Sequence, residues 1–262
     1  MRSLAWILPV FLIIAVAVSS NAADATGLDK ALATPGTLRS VFFVEGMSCR
    51  ACTTILEKRI ANAPGVLWSR FNFPLRLLTL YHDPKIVSRD KIAALVNDSG
   101  ELKAVFLSGV AASELKPVTR VNLGEWKGGK VMHCDTIAIL RPFEHFLKEL
   151  LGETRELPQA RYEILGEHVR NKIFLEAAKK AGYGRKAGAE EFPPVIAKDF
   201  YWPETLRPLT ADEKIIAAFI EEEVTKKDPE KSGKLFDAWL LALWRDLNFN
   251  FYGEFAEGKL KP

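Results

Sequence analysis

Apolar positions change period several times along the chain, and each change marks an element. Residues 40–44 carry the β-branched and aromatic run Val41, Phe42, Phe43, Val44, which predicts a strand, and residues 46–52 read as a loop. Over residues 53–63, Ile55, Leu56 and Ile60 fall at helical spacing, and Pro64-Gly65 stops that helix. Residues 66–73 alternate loosely through Val66, Trp68, Phe71 and Phe73, and residues 75–81 form a further strand ended by Asp83-Pro84. Ser88 caps a helix with Ile92, Leu95 and Val96 on one face, and residues 102–107 supply a last strand.

The order βαββαβ is the split βαβ, ferredoxin-like arrangement. The expected fold class is therefore α+β, with a ferredoxin-like βαββαβ domain over residues 39–110 followed by a mostly α-helical C-terminal domain over residues 131–262. Residues 23–38 are small and polar and read as a linker. Residues 111–130, with Pro117 and Gly128-Gly129, read as a second linker. Beyond it, residues 131–140 fit a strand, Pro142 opens a helix to Leu151, and residues 159–181 form a long helix ended by Gly182. Residues 184–208 hold four prolines and read as irregular. Thr210 and Glu213 form a capping box for a helix to about Lys227, where Asp228-Pro229 breaks it. The last helix has a stripe of Leu235, Phe236, Trp239, Leu240, Leu243, Trp244 and Leu247, which serves either a core or a docking face for a membrane or partner protein.

Composition narrows the class. Of 262 residues, 48% are hydrophobic and 26% charged, which excludes a largely disordered chain and a polytopic membrane protein. A formal net charge of +3 does not point to nucleic acid as a partner, and 3 cysteines are too few for a disulfide scaffold. Residues 1–22 have a positive Arg2, an apolar run over 4–18, and small residues before a cut after Ala22. That is a signal peptide, which predicts a secreted or periplasmic protein; left uncut, it is an N-terminal membrane anchor and the only membrane contact expected.

The chemistry sits in Gly46-Met47-Ser48-Cys49-Arg50-Ala51-Cys52, between a strand and a helix. Two thiolates three residues apart at a helix start can share one soft ion, with Cu(I), Hg(II) and Zn(II) as candidates. The helix N-terminus and Arg50 both favour negative sulfur. A C-x-x-C pair also marks redox sites, zinc half-sites and plain disulfides, so each stays open. Met47 reads as an apolar plug under the loop. Met47, Ser48, Glu101, His133 and Cys134 are the candidate accessory residues. If residues 131–140 are a strand, Met132 and Cys134 share one face and His133 takes the other. Cys134 is then a buried free thiol, an accessory metal or redox site, or a partner in an intermolecular disulfide. His82 reads as a surface strand residue, His168 as a helix-surface one, and Glu190-Glu191 and 221–223 as solvated acids. There is no Ser-His-Asp spacing, phosphate-binding Gly loop or H-E-x-x-H motif.

Over roughly residues 39–109 these markers together resemble the heavy-metal-associated domain family, which includes small copper chaperones, the periplasmic mercury-binding protein and the N-terminal modules of copper-transporting P-type ATPases. The resemblance rests on the G-M-x-C-x-x-C loop, Ile55 and Ile60, Pro64-Gly65-Val66, Asn72, Asp83-Pro84, and Val87-Ser88 through Ile92 and Val96. It implies reversible binding of a soft ion by Cys49 and Cys52 and transfer by ligand exchange. Zinc-type members carry Asp before the first cysteine; Ser48 stands there and favours linear two-thiolate coordination, Cu(I) before Zn(II). Members usually follow the second helix with Gly and then Tyr, Phe or Lys, whereas this chain has Gly100-Glu101. Facing the loop, Glu101 would raise the thiol pKa values or add a hard ligand; turned away, it lies in solvent. The expected protein is a soft-metal binder for transfer or detoxification, more a binding protein than an enzyme, whose C-terminal region docks a partner protein. A thiol–disulfide oxidoreductase and an interaction module with a degenerate metal site are the alternatives.

Overall fold

β1 (Leu38–Glu45) has a neighbour on each side and an apolar layer against each face, so the unbroken run from Val41 to Val44 is buried throughout. The computed structural model of the protein describes residues 20–98, 100–115, 121–151, 156–183 and 210–256. After α1 (Ser20–Ala33) and β1 come α2 (Arg50–Ala61), β2 (Val66–Asn72), β3 (Leu77–His82), α3 (Arg89–Asn97) and β4 (Lys103–Ala111). The strands lie in the order β2-β3-β1-β4, all antiparallel, which is the expected ferredoxin-like sheet.

Alternation along the strands sorts side chains onto two faces. Phe42, Val44, Phe71, Leu78 and Leu80 meet Leu56 and Ile60 of α2 and Ile92 and Val96 of α3. Val41, Phe43, Leu75 and Leu77, with Val105 and Leu107 of β4, face the other way, into the C-terminal half. That half contains β5 (Asn122–Trp126), β6 (Gly129–Met132), α4 (Thr136–Leu151), α5 (Glu156–Lys180), α6 (Ala211–Ile220), α7 (Ser232–Asp246) and β7 (Asn250–Phe251). Its strands form a small sheet in the order β6-β5-β7. The α7 stripe is a core face: Leu240 and Trp244 are buried, Phe236, Trp239, Leu243 and Leu247 pack beside them, and Trp244 Nε1 donates to Leu75 O at 3.1 Å.

The boundaries expected from sequence therefore shift. The stretch 23–38, expected as a linker, begins inside α1, whose Leu28 and Ala31 pack on Trp68 and Tyr81. Within the expected linker 111–130, β4 runs to Ala111, and β5 and the start of β6 are formed. The described residues of 131–256 do not form a separate core, because their apolar side chains share one cluster with the sheet. The strand expected over 131–140 ends at Met132: Asp135 Oδ2 accepts the Met132 amide at 3.2 Å, and the chain turns through His133–Asp135 into α4. Pro142 lies inside α4 rather than opening it, and leaves the carbonyl of Ala138 without its usual helical donor. The Thr210–Glu213 capping box forms in both directions, at 3.3 and 2.8 Å. The helix it opens passes at Glu221 into a wider turn to Thr225. Residues 1–19 of the expected signal peptide 1–22, the region 184–209 and Glu190-Glu191 lie outside the described residues. Among the described residues no helix is long and apolar enough to cross a membrane.

The two halves are also joined by polar contacts. At the start of β1, the guanidinium of Arg39 pairs with Glu254 at 2.7 Å and donates to Phe251 O at 2.6 Å, while Tyr81 donates to the same carboxylate at 3.3 Å. Near the other end, Arg170 of α5 donates to Pro74 O at 3.4 Å, and Asn72 Nδ2 to Tyr162 O at 2.8 Å.

Candidate metal centre

The G-M-x-C-x-x-C loop follows the last residue of β1, at the end of the sheet shared by the β2–β3 turn and the start of β4. Gly46 has φ +84°, and a Cβ there would run into the carbonyl of Glu101, so both conformation and space call for glycine. Met47 is 1% exposed and packs in the core with Leu56, in the position of a plug under the loop. Ser48 is exposed. Cys49 is the N-cap of α2 in extended conformation, and its Sγ accepts the Cys52 amide at 3.2 Å. The Cα atoms of Cys49 and Cys52 are 5.4 Å apart and the sulfurs are joined in a disulfide. Both residues are half-buried, at the positive end of a 12-residue helix. This geometry brings the two sulfurs to one point. Reduced, they offer two thiolates, stabilised by the helix end, to one ion or one disulfide partner.

The remaining candidates divide. Glu101 is exposed, and what it brings to the loop is its backbone carbonyl, against Gly46. Cys134 is a free, exposed thiol 3.7 Å from Asp135 Oδ1, not the buried strand cysteine expected, while His133 beside it is buried. Turn geometry replaced strand alternation there. Among the described residues no group of three or more His, Cys, Asp or Glu side chains comes together, so His133, Cys134 and Glu101 do not join Cys49 and Cys52. Ile55 is 62% exposed one turn below Cys52, whereas Ile60 is fully buried. His82 is buried, correcting the surface position expected of it, because β3 is covered on both faces. Val87 O takes the His82 Nδ1 proton at 3.0 Å, which leaves Nε2 to accept from Ser40 Oγ at 3.0 Å. His168 is exposed, as expected.

One residue at this end was missed. Asp237 of α7 accepts the Gly46 amide at 2.8 Å and lies 3.5 Å from Arg76 Nε in the β2–β3 turn. Burial pushes its carboxyl above the usual range, against the opposing pull of Arg76 and the Gly46 amide. A signal for it existed: Asp237 falls three, four and seven residues before Leu240, Leu241 and Trp244, on the apolar face of its helix, where a charge needs a partner.

A ferredoxin-like sheet presenting this loop between β1 and α2 is a heavy-metal-associated-like domain. No family model matches the chain. The chain is 27% identical over 105 residues to the copper-transporting ATPase HMA4 of Oryza sativa subsp. japonica; the match covers 36% of this chain and 11% of that relative's length. Among solved structures it is similar to the N-terminal domain of a potential copper-translocating P-type ATPase from Bacillus subtilis in the Cu(I)-loaded state. There the identity is 31%, the coverage is 28% of this chain and 91% of that one, and the TM-score is 0.26.

Proposed function

We propose that the protein binds one soft metal ion, Cu(I) in preference, between the reduced sulfurs of Cys49 and Cys52, and carries it as cargo for transfer or sequestration. The observation that carries this reading is the convergence of the two sulfurs at the α2 N-terminus, with Cys49 Sγ accepting the Cys52 amide. Thiolates are soft donors, and a two-sulfur set suits ions that accept linear coordination: Cu(I) first and Hg(II) by the same chemistry. Zn(II) wants four ligands, and Ser48 precedes Cys49 where a carboxylate would help it. The rice relative's name supports copper as the metal. The apolar run of residues 4–18 supports a place outside the cytoplasm, secreted or periplasmic, after loss of residues 1–22. A partner protein that receives the ion would meet the loop on its open side, where Ser48 and Ile55 are exposed.

The test is an anaerobic Cu(I) titration of the reduced protein against a competing chelator. Wild type, the double variant Cys49→Ser/Cys52→Ser, and Cys134→Ser are compared. Tight binding of one ion, abolished in the double variant and intact in Cys134→Ser, is the expected result. No competition by wild type overturns the reading. The Cys49–Cys52 disulfide favours a second function, thiol–disulfide exchange. Sustained disulfide-reductase turnover with a depressed Cys49 pKa would select it instead.

A further inference from the structure

We propose that Asp237 is a positioning residue for the Cys49–Cys52 pair. It anchors Gly46 so that the loop presents both sulfurs to one point, and its effect on the ion rests on the metal-binding reading above. The anchor crosses the chain: Asp237 belongs to α7, 191 residues beyond Gly46. It is 7% exposed and its carboxylate divides between two tasks. Oδ2 takes the Gly46 amide at 2.8 Å, and Oδ1 faces Arg76 Nε at 3.5 Å. Arg76 is itself fixed: its guanidinium lies 4.2 Å from the Phe73 ring centroid, and its carbonyl accepts the Val44 amide at 2.9 Å. Asp237 therefore ties together the end of β1, the β2–β3 turn and the first loop residue. Gly46 is also confined from another side by the Glu101 carbonyl, Met47 is held in the core, and Cys49 is held as the α2 cap. With Gly46 fixed, three residues of backbone lead to Cys49, and the sulfur-to-sulfur encounter is prepaid in conformational freedom. A carboxylate buried only to staple α7 would need Arg76 alone; this one spends an oxygen on the loop amide.

The test compares Asp237→Ala, Asp237→Ser and Asp237→Asn with wild type and with Tyr81→Phe. The last loosens the same interface at the far end of the sheet by removing the hydrogen bond to Glu254. The first readout needs no metal: the Cys49–Cys52 disulfide is equilibrated with reduced and oxidised glutathione, two thiols of glutathione being oxidised as the disulfide is reduced. Loss of a hydrogen bond to a charged acceptor is expected to ease reduction about tenfold in Asp237→Ala and Asp237→Ser, a rise in potential of about 30 mV. Asp237→Asn keeps an oxygen for the Gly46 amide and stays within about threefold. Tyr81→Phe leaves the equilibrium unchanged. The second readout is Cu(I) affinity, expected to weaken by a similar factor in the same two variants. The proposal is overturned by an unchanged equilibrium in folded Asp237→Ala or Asp237→Ser. It is equally overturned by equal shifts in Asp237→Asn or Tyr81→Phe, which would mean general loosening. If wild type binds no Cu(I), the metal reading fails by itself and the glutathione equilibrium still decides the role of Asp237.

Discussion

Cutting the chain after residue 115 strips the C-terminal layer from one face of the ferredoxin-like sheet. Val41, Phe43, Leu75 and Leu77 are 7%, 0%, 0% and 1% exposed in the whole protein. Burying a side chain of this kind contributes about 1.5–3 kcal/mol, so the four together represent roughly 6–12 kcal/mol. A whole domain is typically stable by only about 5–15 kcal/mol. Arg39 also loses the Glu254 carboxylate and the Phe251 carbonyl that hold its guanidinium. A fragment of residues 20–115 is thus expected to lack a cooperative urea transition, to bind the dye ANS, and to self-associate. The full chain is expected to unfold in one transition, with far-UV circular dichroism coinciding with tryptophan fluorescence from Trp68 in the sheet and Trp244 in α7. A soluble, monomeric fragment with a sharp near-UV spectrum and a thermal midpoint within a few degrees of the whole protein would refute the argument. The sheet would then have to be stable with its second face in water.

Three further outcomes are expected. Burial holds the His82 pKa below its ordinary 6.5, with Arg89 acting the same way and the Val87 carbonyl and Asp83 opposing. The unfolded chain then takes up a proton that the folded ring refuses, so stability should fall as pH drops below about 6.5, by up to about 1.4 kcal/mol per pH unit, until the folded ring protonates. Denaturation midpoints of His82→Gln measured between pH 7 and 5 should show a flatter dependence, and an unchanged slope would exclude His82 as its source. Gly166→Ala places a methyl group on the Asn72 side chain, which is held by Tyr162 O and the Leu75 amide. Overpacking should cost about 1–3 kcal/mol, outweighing the gain of up to about 1 kcal/mol in helix propensity, and an unchanged or raised urea midpoint would count against that close approach. Thr210→Ala removes one half of the α6 capping box and should lower stability by about 1 kcal/mol, read as a shift in urea midpoint at constant m-value.

The site loop was legible because its geometry is local: a strand end, a glycine, two cysteines and a helix start lie within eight consecutive residues. The topology was legible for a similar reason, since each turn carries its own stop signal. The second layer on the sheet had a signal too, in a different form. Val41-Phe42-Phe43-Val44 and Leu77-Leu78 have no polar alternate, the pattern of strands covered on both faces. Taken only as strand-forming, those runs left the C-terminal half looking separable and His82 looking exposed. Contacts across long separations were not legible: Asp237 meets Gly46, and Glu254 meets Arg39, only after the fold is complete. The turn at His133–Asp135 was misjudged because one side chain, Asp135, captured the Met132 amide and ended the strand. α1 has no strong apolar stripe of its own, and it is the Trp68 and Tyr81 surface that gives Leu28 and Ala31 a place to pack.

The two ends of β1 show what the added layer does. At Arg39, the C-terminal half closes over the strand with a buried ion pair and leaves the side chains no access to water. At Gly46, the described part of the same half takes the backbone amide at the foot of the loop. Ser48 and Ile55 stay exposed, and Cys49 and Cys52 stay half-exposed. Ligand exchange at sulfur needs an approach path for the incoming thiolate, while tight binding needs the two sulfurs held together. Among the described residues the C-terminal support lies behind the loop, with none at its front, an arrangement that would meet both needs of the proposed function. Adding bulk at Ser48, on the exposed side, should therefore slow exchange with an external thiol while leaving the equilibrium affinity of the pair nearly unchanged; loosening Asp237 should instead weaken that affinity.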